Sequence, residues 1–413
     1  MLRGEDGGGV AFAMRLVLRA AEMTGAARLI DVTRAHVDSC LYHGEATLDF
    51  VNRLVDGGAR MRVPTTLNVG AVDLLHPELY HGDPRVAERG RLLMDRYRAL
   101  GARPTFTCAP YQLADARPSF GEQVAWGESN AIAFCNSVIG ARTNRYGDFI
   151  DVAAAITGRV PYAGLHRTDA RHATVILRLA ADVPDALRKS DVLFALLGII
   201  LGRRAGSTVA ALDGLTPGQS EDRLKALGAA AASSGSVAMF HVVGSTPEAP
   251  DLAAALGGDE PAAVEEISLA EVRAVHDELS TARDGRVGAV SLGTPHASLG
   301  ELARYAELLG ERRVHPEVEC LVSTGRDVLA RATELGIVAR LARAGVELLT
   351  DTCSYIAPIL RPTEDLVLTD SAKWAYYAPG NIGASVLFAS AEECIASAVV
   401  GRVVRDERLW GPG

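Results

Sequence analysis

No two cysteines in this 413-residue chain lie three positions apart, so the CxxC units that seed zinc and ferredoxin-type centres are missing. Any metal centre has to be assembled from cysteines distant in sequence. Neither GxGxxG nor GxxxxGK[ST] occurs, which removes the two Gly-rich phosphate cradles and makes a nucleotide-binding α/β enzyme a poor reading. Apolar runs such as 192–201 fall short of the roughly 20 residues that cross a bilayer. The opening MLRGEDGGGVAFAM has acids and glycines where an export signal needs a basic start and an apolar run, so a cytoplasmic protein is expected. Positive charge is not in excess either. A formal net charge of −9 argues against nucleic acid or an anionic membrane as partner. There is no internal repeat and no extended low-complexity tract. In a reducing compartment the six cysteines are not a disulfide framework.

What is present is an ordinary globular composition, 48% hydrophobic and 23% charged, in a chain long enough for two or three domains. Strand-like and helix-like runs alternate, most plainly after residue 285, which predicts an α/β protein with largely parallel sheets and helices on both faces. The expected lobes are 1–172, 173–284 and 285–413, with the Ala/Gly/Asp/Glu-rich stretch 245–266 as a linker. Strands are expected near 27–32, 61–63 and 104–108, with 33–39, including His36 and Asp38, as a polar loop. Strand ends carry Pro64-Thr65-Thr66-Leu67-Asn68, Cys108-Ala109-Pro110-Tyr111, Gly293-Thr294-Pro295-His296 and Asp351-Thr352-Cys353, where ligands collect in α/β sheets.

The stretch 121–148, GEQVAWGESNAIAFCNSVIGARTNRYGD, reads as one apolar helix ending at Gly140. Glu122, Ser129 and Asn136 recur at intervals of seven with Asn130 and Ser137 beside them, drawing a polar seam that needs polar partners when buried. These are either neighbouring backbone groups or a ligand. Arg142-Thr143-Asn144-Arg145 follows as a donor-rich loop, with two guanidiniums able to clamp a carboxylate or phosphate.

The cysteines divide by context. Cys108 and Cys353 end strands, and Cys394 occupies a helix's first turn, where free amides and the dipole favour a thiolate. Metal ligation and buried structural thiol are both open for these three. Cys135 and Cys320 sit within apolar elements and read as small buried hydrophobes. Cys40 fits neither class cleanly.

The run 122–147, preceded by Pro64-Thr65-Thr66-Leu67-Asn68 and Cys108-Ala109-Pro110-Tyr111, resembles the catalytic subunit of the aconitase X family, and the resemblance extends over nearly the whole chain. It implies an aconitase-like, multi-domain, three-layer α/β/α fold and a hydro-lyase acting on a small 3-hydroxy acid. It implies an iron–sulfur cluster held by three cysteines, Cys108, Cys353 and Cys394, with one iron left open as a Lewis acid. Some archaeal members have Cys at the position of Thr294, so cluster nuclearity stays open. Dehydration needs a base, an electrophile for the departing hydroxide and donors for the carboxylate. Glu128, His36 and His166 are the expected proton-relay groups. Lys373, Arg142 and Arg145 are expected to hold the carboxylate, and Thr65, Thr66, Asn68, Tyr111, Ser129, Asn130, Asn136, Thr143 and Asn144 to line the pocket. Family members dehydrate cis-3-hydroxy-L-proline or mevalonate 5-phosphate. The segment 36–44 and the Ala-, Arg- and Gly-rich composition lean to the bacterial hydroxyproline branch. The small swivelling β-rich domain of aconitase-type enzymes has no counterpart here, which implies a separately encoded small subunit. A non-catalytic binding or regulatory subunit is the alternative from another class.

Overall fold

The structure, a computed structural model, describes residues 1–410. Three α/β units follow one another. In the first, β1 (Leu29–Asp31), β2 (Ala35–Val37), β3 (Thr65–Leu67), β4 (Ala125–Trp126) and β5 (Arg159–Pro161) form two small sheets. One is the parallel trio β3-β2-β4, and the other is the antiparallel pair β1-β5. In the second unit β6 (Val175–Leu179), β7 (Ala210–Asp213), β8 (Phe240–Val242) and β9 (Ala263–Ile267) make a parallel sheet ordered β8-β7-β6-β9. In the third, β10 (Val287–Ala297), β11 (Glu319–Thr324), β12 (Val346–Leu349), β13 (Leu366–Thr369) and β14 (Val386–Phe388) are parallel in the order β12-β11-β10-β13-β14.

The third sheet explains how the units are joined. Successive side chains of a strand point to opposite faces. Val290, Leu292, Leu366, Leu368 and Leu387 enter a core closed by the helices Leu299–Leu309 and Ala391–Val400. Their alternates Ala289, Val367, Val386 and Phe388 enter a different core, shared with the second-unit helix Asp191–Ala205 and with the helix Ala372–Ile382. Both faces are therefore covered, which is why these strands read as continuous apolar runs. Two helices start with a capping box, Ser298 with Glu301 and Ser390 with Glu393, which fixes where the chain turns off the sheet edge.

Several expectations are corrected. His36 lies in β2, the middle strand of its sheet, rather than in a loop, and Asp38 follows that strand. The early strand is at Thr65–Leu67 rather than 61–63, and 104–108 is irregular. Part of the expected linker 245–266 is regular structure: Leu252–Ala255 is a helical turn, and Ala263–Ile267 pairs in parallel with β6 along the sheet edge. The stretch 121–148 is not one helix. It begins with β4, and helix starts only at Ser129, passing at Cys135 into a π turn that ends on left-handed Gly140. Among the described residues no helix is long and apolar enough to cross a membrane.

Candidate active site

Three loops from C-terminal strand edges and the first unit converge below the third sheet. The first carries Cys108, the second is the end of β10 with His296, and the third follows β12 and carries Cys353. Their donor atoms lie within 4.8 Å of one another, and all three residues are buried. Of the three non-glycine residues with positive φ among the described residues, two stand two positions ahead of these cysteines, Phe106 (42°) before Cys108 and Asp351 (60°) before Cys353. Such strain persists only where surrounding contacts over-determine it. For Asp351 the contacts are visible: its carboxylate binds Arg326 through two bonds of 2.6 Å and accepts the amide of Leu74 at 3.0 Å.

His296 is fixed at three points. Its amide donates to Cys108 Sγ at 3.3 Å, Nδ1 lies 3.0 Å from Thr107 Oγ1, and Nε2 lies 3.3 Å from the Thr352 carbonyl. Burial pushes the Cys108 thiol up, but the Cys353 thiol donating to it, with His296 and Lys373 nearby, more than offsets this and brings it down to about 6. Cys353, which keeps the proton for the pair, is raised for that reason first and by burial second. One sulfur of the two is thus poised as a thiolate, the form that ligates metal.

Beside this group lies a cleft of about 690 Å³, lined among others by His43, Glu128, Ser129, Tyr355, Lys373 and Tyr377. Lys373 stands in the first turn of Ala372–Ile382, whose cap Ser371 accepts the Trp374 amide at 3.1 Å. Its Nζ donates to Glu128 Oε1 at 2.7 Å, with both side chains nearly buried. Burial alone would raise Glu128, yet the Lys373 charge and the bonds from Lys373 and Asn130 hold it down at about 2. Lys373 is raised against its own desolvation by Glu128. The two form an ion pair at neutral pH, so Glu128 is not a base poised near neutrality. Asn130 Nδ2 bonds Glu128 Oε1 at 2.5 Å, and Tyr111 donates to Asn130 Oδ1 at 3.1 Å while stacking on Phe134. Asn68 Nδ2 reaches Glu128 Oε2 at 3.2 Å and also bonds Asp38.

Other expected residues are placed elsewhere. Cys394 is in the core between the third sheet and its helix, its sulfur 4.0 Å from the Ala389 carbonyl, and it is not in the Cys108–His296–Cys353 group. The positive helix end that was to favour its thiolate is taken by the Ser390–Glu393 capping box, and burial and the carboxylates of Asp370 and Glu393 hold the thiol protonated. The ARTNR loop does not line the cleft. Arg142 donates to Thr168 Oγ1 at 2.9 Å, Arg145 to the Ala232 carbonyl at 3.4 Å, and Asn144 to the Ala163 carbonyl at 2.9 Å. Thr143 receives the Trp126 amide, and Asn136 bonds the Thr143 amide, the Ala238 carbonyl and buried Arg171. His166 lies between Gln123 and Tyr146, at 2.5 and 2.6 Å, and is lowered to about 3 chiefly by burial. The polar seam therefore divides: its first turn faces the cleft, and its second half satisfies backbone at the junction with the second unit. Thr65 bonds the Val63 carbonyl at 2.8 Å, and Thr66 bonds His36 at 2.8 Å. Ser129 shares the cleft lining with Glu128.

Sequence reasoning missed His296, Asp38 and Tyr355. His296 had a signal, a Gly-Thr-Pro-His run at a strand's end, but a lone histidine is outweighed there by three cysteines. Tyr355 follows Cys353 by two residues and had none.

Family models describing the first, second and third domains of aconitase X match residues 1–169, 173–277 and 287–400. A cis-3-hydroxy-L-proline dehydratase from Pseudomonas aeruginosa is 44% identical over 99% of this chain and 70% of its own length. A phosphomevalonate dehydratase large subunit from Methanothermobacter thermautotrophicus is 35% identical over 94% of each chain. The solved holo form of Thermococcus kodakaraensis aconitase X superposes with a TM-score of 0.86 at 32% identity, covering 96% of this chain and 97% of that one. The extent and fold of these matches agree with the three-unit architecture, and the chain belongs to the aconitase X family.

Proposed function

We propose that this chain is the larger, metal-bearing part of a hydro-lyase that removes water from cis-3-hydroxy-L-proline to give a cyclic imino acid. The observation that carries the reading is the buried Cys108–His296–Cys353 donor group next to the Lys373–Glu128 pair. Two thiols and an imidazole, with one thiol already near its thiolate form, suit an iron–sulfur group, and the buried hydroxyls of Thr294 and Thr352 beside the donors have no partner among the described residues. Bound there, such a group supplies a Lewis acid for the departing hydroxide. Lys373, held by Glu128 at the cleft wall, is the ammonium that binds the substrate carboxylate, and Ser129 adds a hydroxyl donor. Tyr355, which burial keeps as a phenol, is a further donor lining the same cleft. No clamp for a phosphate is built beside it: among the residues lining the cleft there is no arginine, and Lys373 is the one lysine. This favours the hydroxyproline substrate over mevalonate 5-phosphate.

The relative named as a large subunit matches along nearly its whole length, and that name points to a small partner subunit. That supports a small swivel-domain subunit completing the enzyme as a heterodimer. Six buried, unpaired thiols suit the reducing cytoplasm. The test is co-expression with the small partner under anaerobic conditions, followed by iron analysis, the absorption spectrum and a dehydration assay with both substrates. Iron, a sulfide-to-iron charge-transfer band and turnover of cis-3-hydroxy-L-proline are expected. A complex that lacks iron, or that dehydrates neither substrate, overturns the reading.

A further inference from the structure

Dehydration of a 3-hydroxy acid needs a group that takes the proton next to the carboxylate. Glu128 is held as an anion on Lys373. His36, bonded to Thr66, and His166 are each lowered to about 3, first by burial, and neither lines the cleft. His296 belongs to the buried donor group. Among the described residues that do line the cleft, Tyr42, Tyr80, Tyr355 and Tyr377 are phenols, a type that ordinarily ionises at about pH 10. The one imidazole in that lining is His43, and imidazole is the side chain suited to general-base work near neutrality.

His43 is exposed at the cleft, on the loop that leaves β2. Gly44, with φ 118°, ends that loop and opens the helix Glu45–Asp56, so the chain turns away directly behind the ring. The front of the loop is bolted down. The Asp38 amide and the Ser39 hydroxyl donate to Asp151 at 2.6 and 2.5 Å, and Cys40 Sγ donates to the Asn68 carbonyl at 3.1 Å. Ser39 Oγ in turn accepts the Phe149 amide at 2.8 Å. Phe149 is the remaining described non-glycine residue with positive φ, at 75°, and it follows Asp148. A bulky residue keeps such a conformation only where its surroundings over-determine it, and such strain clusters at functional sites. The Asp148 carboxyl, raised first by desolvation, feels the charges of both His43 and Glu128. Asp148, His43 and the Glu128–Lys373 pair therefore share one corner of the cleft. The other charges near the ring, Glu45 and Arg89, are paired with each other.

We propose that His43 is the general base of the dehydration, with Asp148 as a positioning residue that holds its ring towards the carbon next to the Lys373-bound carboxylate. The inference rests on the hydro-lyase reading and adds the proton acceptor that this reading lacks. The C–H electron pair becomes the new C=C bond, the proton goes to the imidazole, and hydroxide leaves the neighbouring carbon. Proton and hydroxide together make the water that is lost. The Asp148 carboxylate favours the imidazolium so formed, and from an exposed ring the proton passes to solvent without a relay. Both candidate 3-hydroxy acids carry a proton next to the carboxylate, so the role is the same for either.

The test uses the anaerobically purified complex with its small partner and whichever of cis-3-hydroxy-L-proline and mevalonate 5-phosphate it turns over. His43→Ala should cut kcat by about 10²–10⁴-fold and change KM far less. Iron content and the unfolding midpoint should stay at parental values, because the ring is exposed. Added imidazole should restore turnover roughly tenfold or more, and the rescue should grow as pH rises through the titration of imidazole, since only its neutral form accepts a proton. Asp148→Asn should lower kcat by a smaller factor and move the acid limb of kcat/KM to lower pH, because a lost carboxylate makes the ring easier to deprotonate. A merely structural role would leave that limb in place. A His43→Ala complex within about threefold of parental turnover overturns the assignment and places the base on the small partner. Lost turnover that imidazole does not relieve overturns it too, since a diffusible base does not mend a displaced loop. If the parental complex is active and only these variant results fail, the base alone falls. If the parental complex dehydrates neither acid, the hydro-lyase reading and the base fall together.

Discussion

The Lys373–Glu128 bond couples two buried charges, and its consequences differ from those of a surface pair. Removing one partner leaves the other charge buried without compensation, which costs about 3–5 kcal/mol, whereas replacing both is far milder. Lys373→Met should therefore destabilise more than the Lys373→Met/Glu128→Gln double variant, measured by urea unfolding, while both lose activity. The same pair sets an acid limit. Glu128 is depressed from its ordinary 4.5 to about 2, so the stability it contributes is fully present above pH 4.5 and is lost as pH falls towards 2. Glu128→Gln should flatten stability against pH in that window. The cysteines provide a second residue-scale prediction. Cys108→Ser, Cys353→Ser and His296→Ala should each lower iron content and cut activity by about a hundredfold or more. Cys394→Ser should keep iron and instead cost about 1–3 kcal/mol for a hydroxyl placed in an apolar core. Loss of iron in Cys394→Ser, with His296→Ala retaining it, would return the centre to the all-cysteine set that the family resemblance suggested.

Among the elements, what was legible follows from how each is buried. The strands of the third unit are enclosed on both faces, and their helices open on Ser-x-x-Glu boxes, so apolar runs and caps announced them. Ala263–Ile267 is an edge strand with most of its residues exposed, and its Glu265 and Glu266 made it look like linker. Three-residue β2 is too short to display any period, which hid His36 within an expected loop. In 121–148 the helix was read about two turns early, because the sheet pairing of Ala125–Trp126 with β2 is a tertiary contact that local pattern does not carry. The break between strand and helix is Gly127. A Cβ there would stand 2.7 Å from Asp151 Oδ2 and 3.1 Å from the Cβ atoms of Asp151 and Asp38. Gly127→Ala should cost about 1–3 kcal/mol by forcing that contact apart, and should lower activity beyond the stability loss because Glu128 follows directly. Normal turnover with wild-type stability would show that the close approach is not needed.

Across the whole molecule, the site lies where the first and third units meet, and nothing in the sequence pattern links the segments that clasp there. Asp73, on the first-unit loop after Asn68, is nearly inaccessible and gathers five donors. Its Oδ2 takes the Thr350 amide at 2.8 Å and His76 Nδ1 at 2.9 Å, while Oδ1 takes the Thr350 hydroxyl at 3.0 Å and the amides of Leu75 and His76 at 2.7 and 2.9 Å. Next to it Gly70 donates to the Asp351 carbonyl at 2.7 Å. This clasp holds residues 350–353, and with them Cys353, against the loop that carries Asn68. Asp73→Asn keeps the shape but turns an NH₂ towards donors already present, leaving at least one buried donor unsatisfied. About 2–4 kcal/mol should be lost. Because Cys108 and Cys353 hang from opposite sides of the clasp, the loss should also appear as slower iron loading and faster iron release under chelator, although neither ligand has changed. An Asp73→Asn complex that unfolds earlier yet holds iron as firmly as the parent would show that the two cysteines are registered by the shared core alone.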